Sequence, residues 1–163
     1  MRTARIAARV LVIDPGGHVL LFRGLDPARP DAGSWWITPG GGLDEGESIE
    51  DAARRELREE TGLVVDSVGP RIFERRVVFE FEESHFDQSE HFFCVRADRF
   101  TVDPAGWTDI EQRSVLEHRW WSAAELATTD EHVYPEDLAA RLTDLLGVLA
   151  ELAEPTEGVL DAP

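Results

Sequence analysis

The hydrophobic residues near the N-terminus form short runs, which is typical of β-strands. Residues 6–13 are rich in Val, Ile and Leu and lead into the turn sequence Asp14-Pro15-Gly16-Gly17. The apolar run resumes at residues 18–22, so this pattern predicts a β-hairpin. Residues 24–33 contain two prolines, two aspartates and two glycines, which predicts a surface loop. Trp35-Trp36-Ile37 predicts a short strand, in which alternation turns only one tryptophan inward.

A helix is predicted from residue 49 to about residue 61. Ser48 can cap its first turn, and no helix-breaking residue occurs before Gly62. The helical period places Ile49, Ala53 and Leu57 on one apolar stripe, which predicts the buried face of the helix.

The second half of the chain again alternates between apolar runs and polar segments. Strands are predicted at residues 63–68, 72–81, 92–95 and 116–121. Residues 83–90 are polar and predict a hairpin loop, residues 101–113 predict an irregular segment, and Ser122 predicts the start of a short helix through residue 126.

The last predicted helix opens at Pro135. Its core-facing side consists of five leucines, Leu138, Leu142, Leu145, Leu146 and Leu149. Strands interrupted by one internal helix and closed by another predict an α/β fold, with a mixed β-sheet between helices in an α/β/α sandwich. We expect one domain over residues 1–153 and a flexible tail over residues 154–163.

Composition narrows the range of partners. The 163 residues have a formal net charge of -17, and every basic residue is arginine. Such a surface repels nucleic acid and anionic membranes, so neither is an expected partner. The single cysteine, Cys94, excludes an intrachain disulfide and lies in an apolar run that predicts a core position. Together with the lack of a signal-like or membrane-spanning segment, this favours a cytoplasmic protein.

The predicted internal helix has three carboxylates on one side. Glu56, Glu59 and Glu60 are spaced i, i+3 and i+4. A generic run of this kind is a solvated acidic face. Here the carboxylates adjoin the apolar stripe, where uncompensated charge is costly, so a hard cation such as Mg²⁺ or Mn²⁺ is favoured. The preceding Gly40-Gly41-Gly42 allows a close backbone approach and can help to cradle an anion.

These residues resemble a known family signature. Gly41, then Glu47 after five residues, then residues 55–63 after seven more, match the Nudix box of the Nudix hydrolases without departure. The resemblance implies a Nudix-type α/β/α sandwich, with the Gly40 carbonyl and Glu56, Glu59 and Glu60 as metal ligands. It also implies that Glu47 and Arg55 support the loop on the helix.

The resemblance further implies metal-dependent hydrolysis of a diphosphate (pyrophosphate) linkage in a nucleoside triphosphate or a nucleoside diphosphate derivative. A carboxylate must accept the proton of the attacking water. Glu59 and Glu60 are candidates within the box, and Glu111 and Glu117 are candidates beyond it. We favour Glu111 because a loop carboxylate can reach over the site.

Other residues remain open at this stage. Arg9 and Arg23 are candidates for phosphate contacts, although surface charge is the commoner role of such arginines. Trp35 can stack on a base or sugar ring, although a core position is the commoner role for either tryptophan of the pair. Subgroup markers downstream of the box are absent from residues 77–81, so the substrate is not identified. A non-enzymatic nucleotide-sensing domain and isoprenoid diphosphate isomerase-like chemistry are the alternatives, and a homodimer remains open.

Overall fold

The computed structural model describes residues 2–153. The strands are β1 (Arg2–Ile13), β2 (Val19–Leu25), β3 (Ser34–Ile37), β4 (Gly40–Gly42), β5 (Phe73–Phe81), β6 (Ser84–Arg96), β7 (Val115–Trp121) and β8 (Val133–Tyr134). The helices are α1 (Ile49–Thr61), α2 (Asp109–Ser114), α3 (Ala123–Thr128) and α4 (Leu138–Ala153). Short 3₁₀ turns occupy Pro30–Ala32 and Pro104–Gly106.

All these strands belong to one mixed sheet. Its order is β5-β6-β1-β2-β3-β8, with β4 paired to β1 and β7 paired to β2. β1 runs parallel to β6 and antiparallel to β2 and β4, so it is the strand that connects the two halves of the sheet. The mixed sheet predicted from the sequence is confirmed.

The two faces of the sheet bury separate hydrophobic clusters. Alternate residues of β1 point to opposite faces, as the strand period requires. Ala8, Val10 and Val12 pack with Ala53 and Leu57 of α1. Leu11 and Ile13 pack on the other face with residues of α4, Leu138 and Leu142. Helices therefore cover both faces, which confirms the α/β fold.

Helix α1 is bounded as the sequence predicts. The Ser48 hydroxyl accepts a hydrogen bond from the Asp51 backbone N–H (3.1 Å). The chain leaves the helix at Gly62, which has the left-handed φ of 83° that favours glycine. Ala52, Ala53 and Leu57 are buried, so the predicted apolar stripe faces the core.

Three predictions after α1 are wrong. Residues 101–113, predicted to be irregular, contain most of helix α2, which the Thr108 side chain caps. Residues 63–68 form no strand, because Leu63, Val65 and Val68 pack on the α1-side cluster from a segment without regular pairing. Residues 83–90, predicted to be a loop, are not a loop: residues 84–90 form the first half of β6. The turn is only Glu82 and Glu83, both with positive φ, and it joins β5 and β6 in a tight hairpin.

The C-terminal part keeps its predicted outline. The five leucines of α4 all belong to the second cluster, although the regular helix begins at Leu138, after a turn in which the Leu138 N–H bonds to the Pro135 carbonyl (3.0 Å). The predicted flexible tail, residues 154–163, lies outside the described residues. Among residues 2–153, no helix is both long enough and apolar enough to cross a membrane.

Candidate active site

A large cleft brings together several candidate residues of the box and side chains from the sheet. Its volume is about 780 Å³. Its lining includes Glu56 and Glu60 of α1, the glycines of β4, and the aromatic side chains of Trp35, Phe79 and Phe81. Most of the β5 and β6 residues that line it alternate along their strands, Arg75, Val77 and Phe79 on one and Gln88 and Glu90 on the other.

The glycines of β4 are required by close packing, as predicted, but they form a strand rather than a free loop. Arg9 and Ala8 of β1 pair with Gly40 and Gly41. A Cβ at Gly40, whose φ is 146°, would lie 2.1 Å from the Ala8 carbonyl oxygen. A Cβ at Gly41 would lie 2.6 Å from Glu56 Oε1. Only glycine therefore lets β4 lie between β1 and the carboxylates of α1.

The Glu60 carboxylate faces the cleft in an unfavourable electrostatic environment. Burial raises the pKa of Glu60 well above its usual range, and repulsion from Glu56 and Glu111 raises it further. The Gly40 backbone N–H donates a hydrogen bond to Glu60 Oε2 (2.9 Å), which only partly offsets this. Burial also raises the pKa of Glu56, with Arg55 opposing the rise and Glu111 and Glu59 adding to it.

The three box glutamates do not converge on one point. Glu59 is absent from the residues lining the cleft and pairs with Arg55 Nη1 (3.1 Å). Within residues 2–153, no three His, Cys, Asp or Glu side chains are grouped closely enough to hold a metal ion as they are placed. The predicted ligand Gly40 has its carbonyl oxygen at the cleft, where Arg9 Nη1 donates to it (3.3 Å).

Arg55 is the centre of an ion-pair network that joins the loop to α1. Its guanidinium donates to both oxygens of Glu47 (2.8 and 2.9 Å), to Glu56 (2.9 Å) and to the Gly42 carbonyl (2.9 Å). Hydrogen bonding from Arg55 holds the pKa of Glu47 below its usual range. These contacts agree with the support role expected of Glu47 and Arg55.

We expect Glu47→Gln to lower the free energy of unfolding by about 1–3 kcal/mol, the range for losing charge-assisted hydrogen bonds. Its effect on turnover should be smaller than that of Glu60→Gln, since Glu47 does not line the cleft. Urea denaturation and steady-state kinetics measure the two effects. Glu45→Gln is the control, because Glu45 is an exposed residue of the same loop. A folded Glu47→Gln protein that loses as much turnover as Glu60→Gln would refute the support role.

Of the two candidate bases outside the box, only Glu111 lies at the cleft. It is on α2, where Oε1 accepts hydrogen bonds from the Thr108 backbone N–H (3.0 Å) and hydroxyl (2.9 Å). Its charge is near enough to raise the pKa of both Glu56 and Glu60. Glu117 instead lies outside the cleft lining and pairs with Arg23 (3.1 Å). The structure therefore brings Glu111, and not Glu117 or Arg23, to the carboxylates.

The floor of the cleft contains a buried ion cluster that the sequence did not indicate. Glu90, with a side chain only 2% exposed, pairs with Arg9 (2.8 Å) and Arg75 (2.8 Å). Arg5 lies nearby over the Phe86 ring (5.1 Å) and makes no ion pair with any described residue. The cluster was not predicted because residues 83–90, which include Glu90, were predicted to form a loop. The available signal was Arg75, which lies two residues before Val77 and four before Phe79. It therefore places a charge on the apolar face of the predicted strand.

Aromatic side chains also line the cleft. Trp35 lines the cleft and packs edge-to-face on Phe81 (6.5 Å between ring centroids). Trp36 is buried against Trp121 (5.1 Å), which confirms that only one tryptophan of the pair faces inward. Trp35 is half-buried and lines the cleft, where a planar ring could stack on it.

Cys94 has no place in this site. It is half-buried, packs against the second hydrophobic cluster, and is absent from the cleft lining. Burial raises the pKa of its thiol to about 11. A thiol with such a pKa is a poor nucleophile or acid near neutral pH.

Comparison with known protein families gives a match over most of the chain. The family described as NUDIX domain matches residues 3–142. A Danio rerio protein named oxidized purine nucleoside triphosphate hydrolase is 38% identical over 119 residues, covering 69% of this chain and 70% of that protein. An RNA pyrophosphohydrolase of Caulobacter vibrioides is 34% identical over 134 residues, covering 77% of this chain and 74% of that protein.

Solved structures agree with this match at the level of the fold. A MutT protein from Methanosarcina mazei Go1 superposes with a TM-score of 0.62 at 24% identity, covering 89% of this chain and 96% of the other. A C. elegans Ap4A hydrolase superposes with a TM-score of 0.57 at 16% identity, covering 90% and 98%. At these identities the likeness carries the architecture alone.

Proposed function

The chain belongs to the Nudix hydrolase family, and from this premise we propose that it hydrolyses the pyrophosphate linkage of a nucleoside triphosphate or a nucleoside diphosphate derivative, with Mg²⁺ or Mn²⁺. The observation that carries the proposal is a cleft lined together by carboxylates, arginines and aromatic rings. A nucleotide carries the matching groups, because its phosphates take the metal and the arginines and its base takes an aromatic surface.

The donor set at the carboxylate wall fits a hard divalent cation. Glu56 and Glu60 supply oxygen atoms, and burial together with mutual repulsion disfavours their ionised forms. A cation bound there would relieve this repulsion. We assign Glu56 and Glu60 as ligands, with Glu59 and the Gly40 carbonyl completing the set once Arg55 and Arg9 release them. The metal would polarise the phosphate oxygens and lower the pKa of a water molecule.

The arginines of the floor would orient the substrate phosphates. Arg5 is suited to an anion because it has no ion-pair partner among the described residues and lies beside the box wall, where a Cβ on Gly42 would be 2.9 Å from its Nε. Arg9 is paired with Glu90, which leaves Arg5, among the described arginines of the floor, as the one free to bind phosphate, and the hydrogen bond from Arg9 to the Gly40 carbonyl would break when that carbonyl binds the metal. The chain can thus admit an anionic substrate despite its net charge of -17.

The proton of the attacking water would pass to Glu111. Glu111 Oε1 accepts hydrogen bonds from Thr108. The carboxylate of Glu111 lies near enough to Glu60 to raise its pKa, so it would also lie near a water molecule on the metal. Glu59 and Glu60 are the other candidates, but carboxylates bound to a cation have little basicity left.

Purine nucleoside triphosphates are the substrates we favour. The relative with 38% identity is named for oxidized purine nucleoside triphosphates, and the cleft volume of about 780 Å³ is in the range that accommodates a ligand of this size. Isomerase-like chemistry is disfavoured by the position of Cys94, and the complete box disfavours a non-catalytic sensor.

The proposal is tested by incubating the protein with purine and pyrimidine triphosphates, their 8-oxo forms, ADP-ribose and a dinucleoside polyphosphate. We expect Mg²⁺-dependent cleavage of a triphosphate into the nucleoside monophosphate and pyrophosphate; cleavage of ADP-ribose would instead give AMP and ribose 5-phosphate. Chromatography of the nucleotides and a pyrophosphate assay measure this.

Chelation with EDTA should abolish the activity, and added Mg²⁺ or Mn²⁺ should restore it. Full activity of the protein after chelation and dialysis would exclude a requirement for a divalent metal. Failure to cleave any compound of the panel, with either metal, would refute the proposed reaction.

A further inference from the structure

Gln88 presents an amide without hydrogen-bond partners to the cleft. It lies on β6, lines the cleft, and is only 1% exposed. Neither its Oε1 nor its Nε2 has a hydrogen-bond partner among residues 2–153. Because both ends are unpaired, the observation does not depend on which end was assigned as oxygen. Buried amides are normally paired, so this amide is available to a ligand that enters the cleft.

Gln88 stands at the border between the charged and the aromatic parts of the floor. It pairs across the sheet with Arg5 of β1 and Val77 of β5. Two residues further along β6, Glu90 holds Arg9 and Arg75. Two residues in the other direction, Phe86 stacks on Phe79 (5.3 Å between centroids, 29° between planes). A ligand that spans both parts must pass the amide.

We propose that Gln88 recognises the nucleobase of the substrate through a pair of hydrogen bonds, one donated by the amide nitrogen and one accepted by the amide oxygen. This inference rests on the function proposed above. The ligand edge must carry a donor beside an acceptor, as do the amino group and ring nitrogen of adenine and the N–H and carbonyl of a guanine-type lactam.

The surroundings of the amide favour a base over the ribose. Val77, its cross-strand neighbour, and Phe79 line the cleft beside it, and such apolar and aromatic surfaces pack on the faces of a planar ring. A site built in this way rejects analogues that lack the hydrogen-bonding edge, because the buried amide would then be left unpaired. Gln88 would therefore determine specificity without touching the reacting phosphates.

The test compares the parent protein with Gln88→Met, which keeps the shape of the side chain and removes both hydrogen-bonding groups. Binding of AMP, GMP, purine riboside 5′-monophosphate and ribose 5-phosphate is measured by calorimetry, and kcat and KM are measured with the matching triphosphates. Gln112→Met is the control, since it changes the only other glutamine, which is exposed and outside the cleft lining.

We expect the parent to prefer AMP or GMP to purine riboside monophosphate, whose ring lacks the exocyclic group. Gln88→Met should weaken the affinity for the preferred nucleotide by roughly five- to hundredfold, the range for one bidentate pair of hydrogen bonds. The loss should appear mainly in KM, with ribose 5-phosphate unchanged and a smaller loss for purine riboside monophosphate, whose ring nitrogen can accept only one of the two hydrogen bonds. Gln88→Glu, which keeps the acceptor but loses the donor, should also lose this preference.

Several results would overturn the inference. An equal loss for purine riboside monophosphate, or no loss for any base, would remove Gln88 from base recognition while leaving the proposed hydrolysis standing. A loss seen with ribonucleotides and absent with 2′-deoxyribonucleotides would assign the amide to the sugar instead. If Gln88→Met does not fold, equal affinity of the parent for AMP, GMP and purine riboside monophosphate overturns it. A parent that neither binds nor cleaves nucleotides would refute the proposed function itself.

Discussion

Glu60→Gln is expected to lower turnover by at least about a hundredfold while making the metal-free protein more stable at alkaline pH. The loss of activity follows from removing a proposed metal ligand, which should cost more than the roughly 10–100-fold typical of an outer-shell partner. Glutamine can still accept the hydrogen bond that the Gly40 N–H donates to Glu60 Oε2. The two opposite effects distinguish a functional carboxylate from a structural one.

The gain in stability follows from the raised pKa of Glu60, whose usual value is near 4.5. A carboxyl whose pKa is higher in the folded state binds its proton more tightly there than in the unfolded chain. Its contribution to stability is complete below the unfolded pKa and is lost as pH rises through the folded pKa. Glutamine does not ionise, so the advantage of the variant should grow from acidic to alkaline pH.

Thermal unfolding in EDTA between pH 5 and pH 9, together with steady-state kinetics, measures both effects. Glu50→Gln changes an exposed carboxylate in the first turn of the same helix and is the matched control. Unchanged turnover of Glu60→Gln would remove Glu60 from the site. A variant less stable than the parent at alkaline pH would contradict the repulsion inferred among Glu60, Glu56 and Glu111.

Glu111→Gln is expected to lower turnover by roughly a hundredfold or more, in the range for losing a general base. Metal affinity should be nearly unchanged, because Glu111 is proposed to act on the water and not as a ligand. The substitution is structurally mild, since a glutamine oxygen can keep both hydrogen bonds that Oε1 accepts from Thr108. A change in turnover would therefore report the lost carboxylate rather than a lost helix cap.

Kinetics beside a Mn²⁺ titration on this variant decide the role. Glu117→Gln, which changes a carboxylate paired to Arg23 outside the cleft lining, should behave like the parent. Unchanged turnover of Glu111→Gln would move the base to Glu59 or Glu60. A collapse of Mn²⁺ binding would make Glu111 a metal ligand.

Local patterns were sufficient where a single element is fixed by its own residues. The cap at Ser48 and the glycine at position 62 bound α1 by interactions within a few residues, so the helix was predicted with its observed ends. The Nudix box and its glycines were equally visible, since the close packing they permit requires glycine at particular positions. The leucines of α4 followed from helical periodicity.

The tertiary structure decided the floor of the cleft. Residues 84–90 are too polar to predict a buried strand, yet Glu90 and Gln88 are buried there, because β6 lies between β1 and β5. Glu90 is neutralised by arginines distant in sequence, Arg9 and Arg75. Pairing of this kind makes burial of a charge tolerable, and no local pattern reports it.

Contacts between residues distant in sequence also decide which candidate carboxylate lies at the site. From the sequence alone, Glu111 and Glu117 were both available as bases, and Arg9 and Arg23 were both available for phosphate. The sheet places Arg23 beside Glu117 on β2 and β7, and places Glu111 near Glu56 and Glu60. The sequence by itself determined the family, the α/β fold and the helix that carries the box glutamates. Only the tertiary structure decided which distant side chains meet it, because these contacts depend on strand order and register.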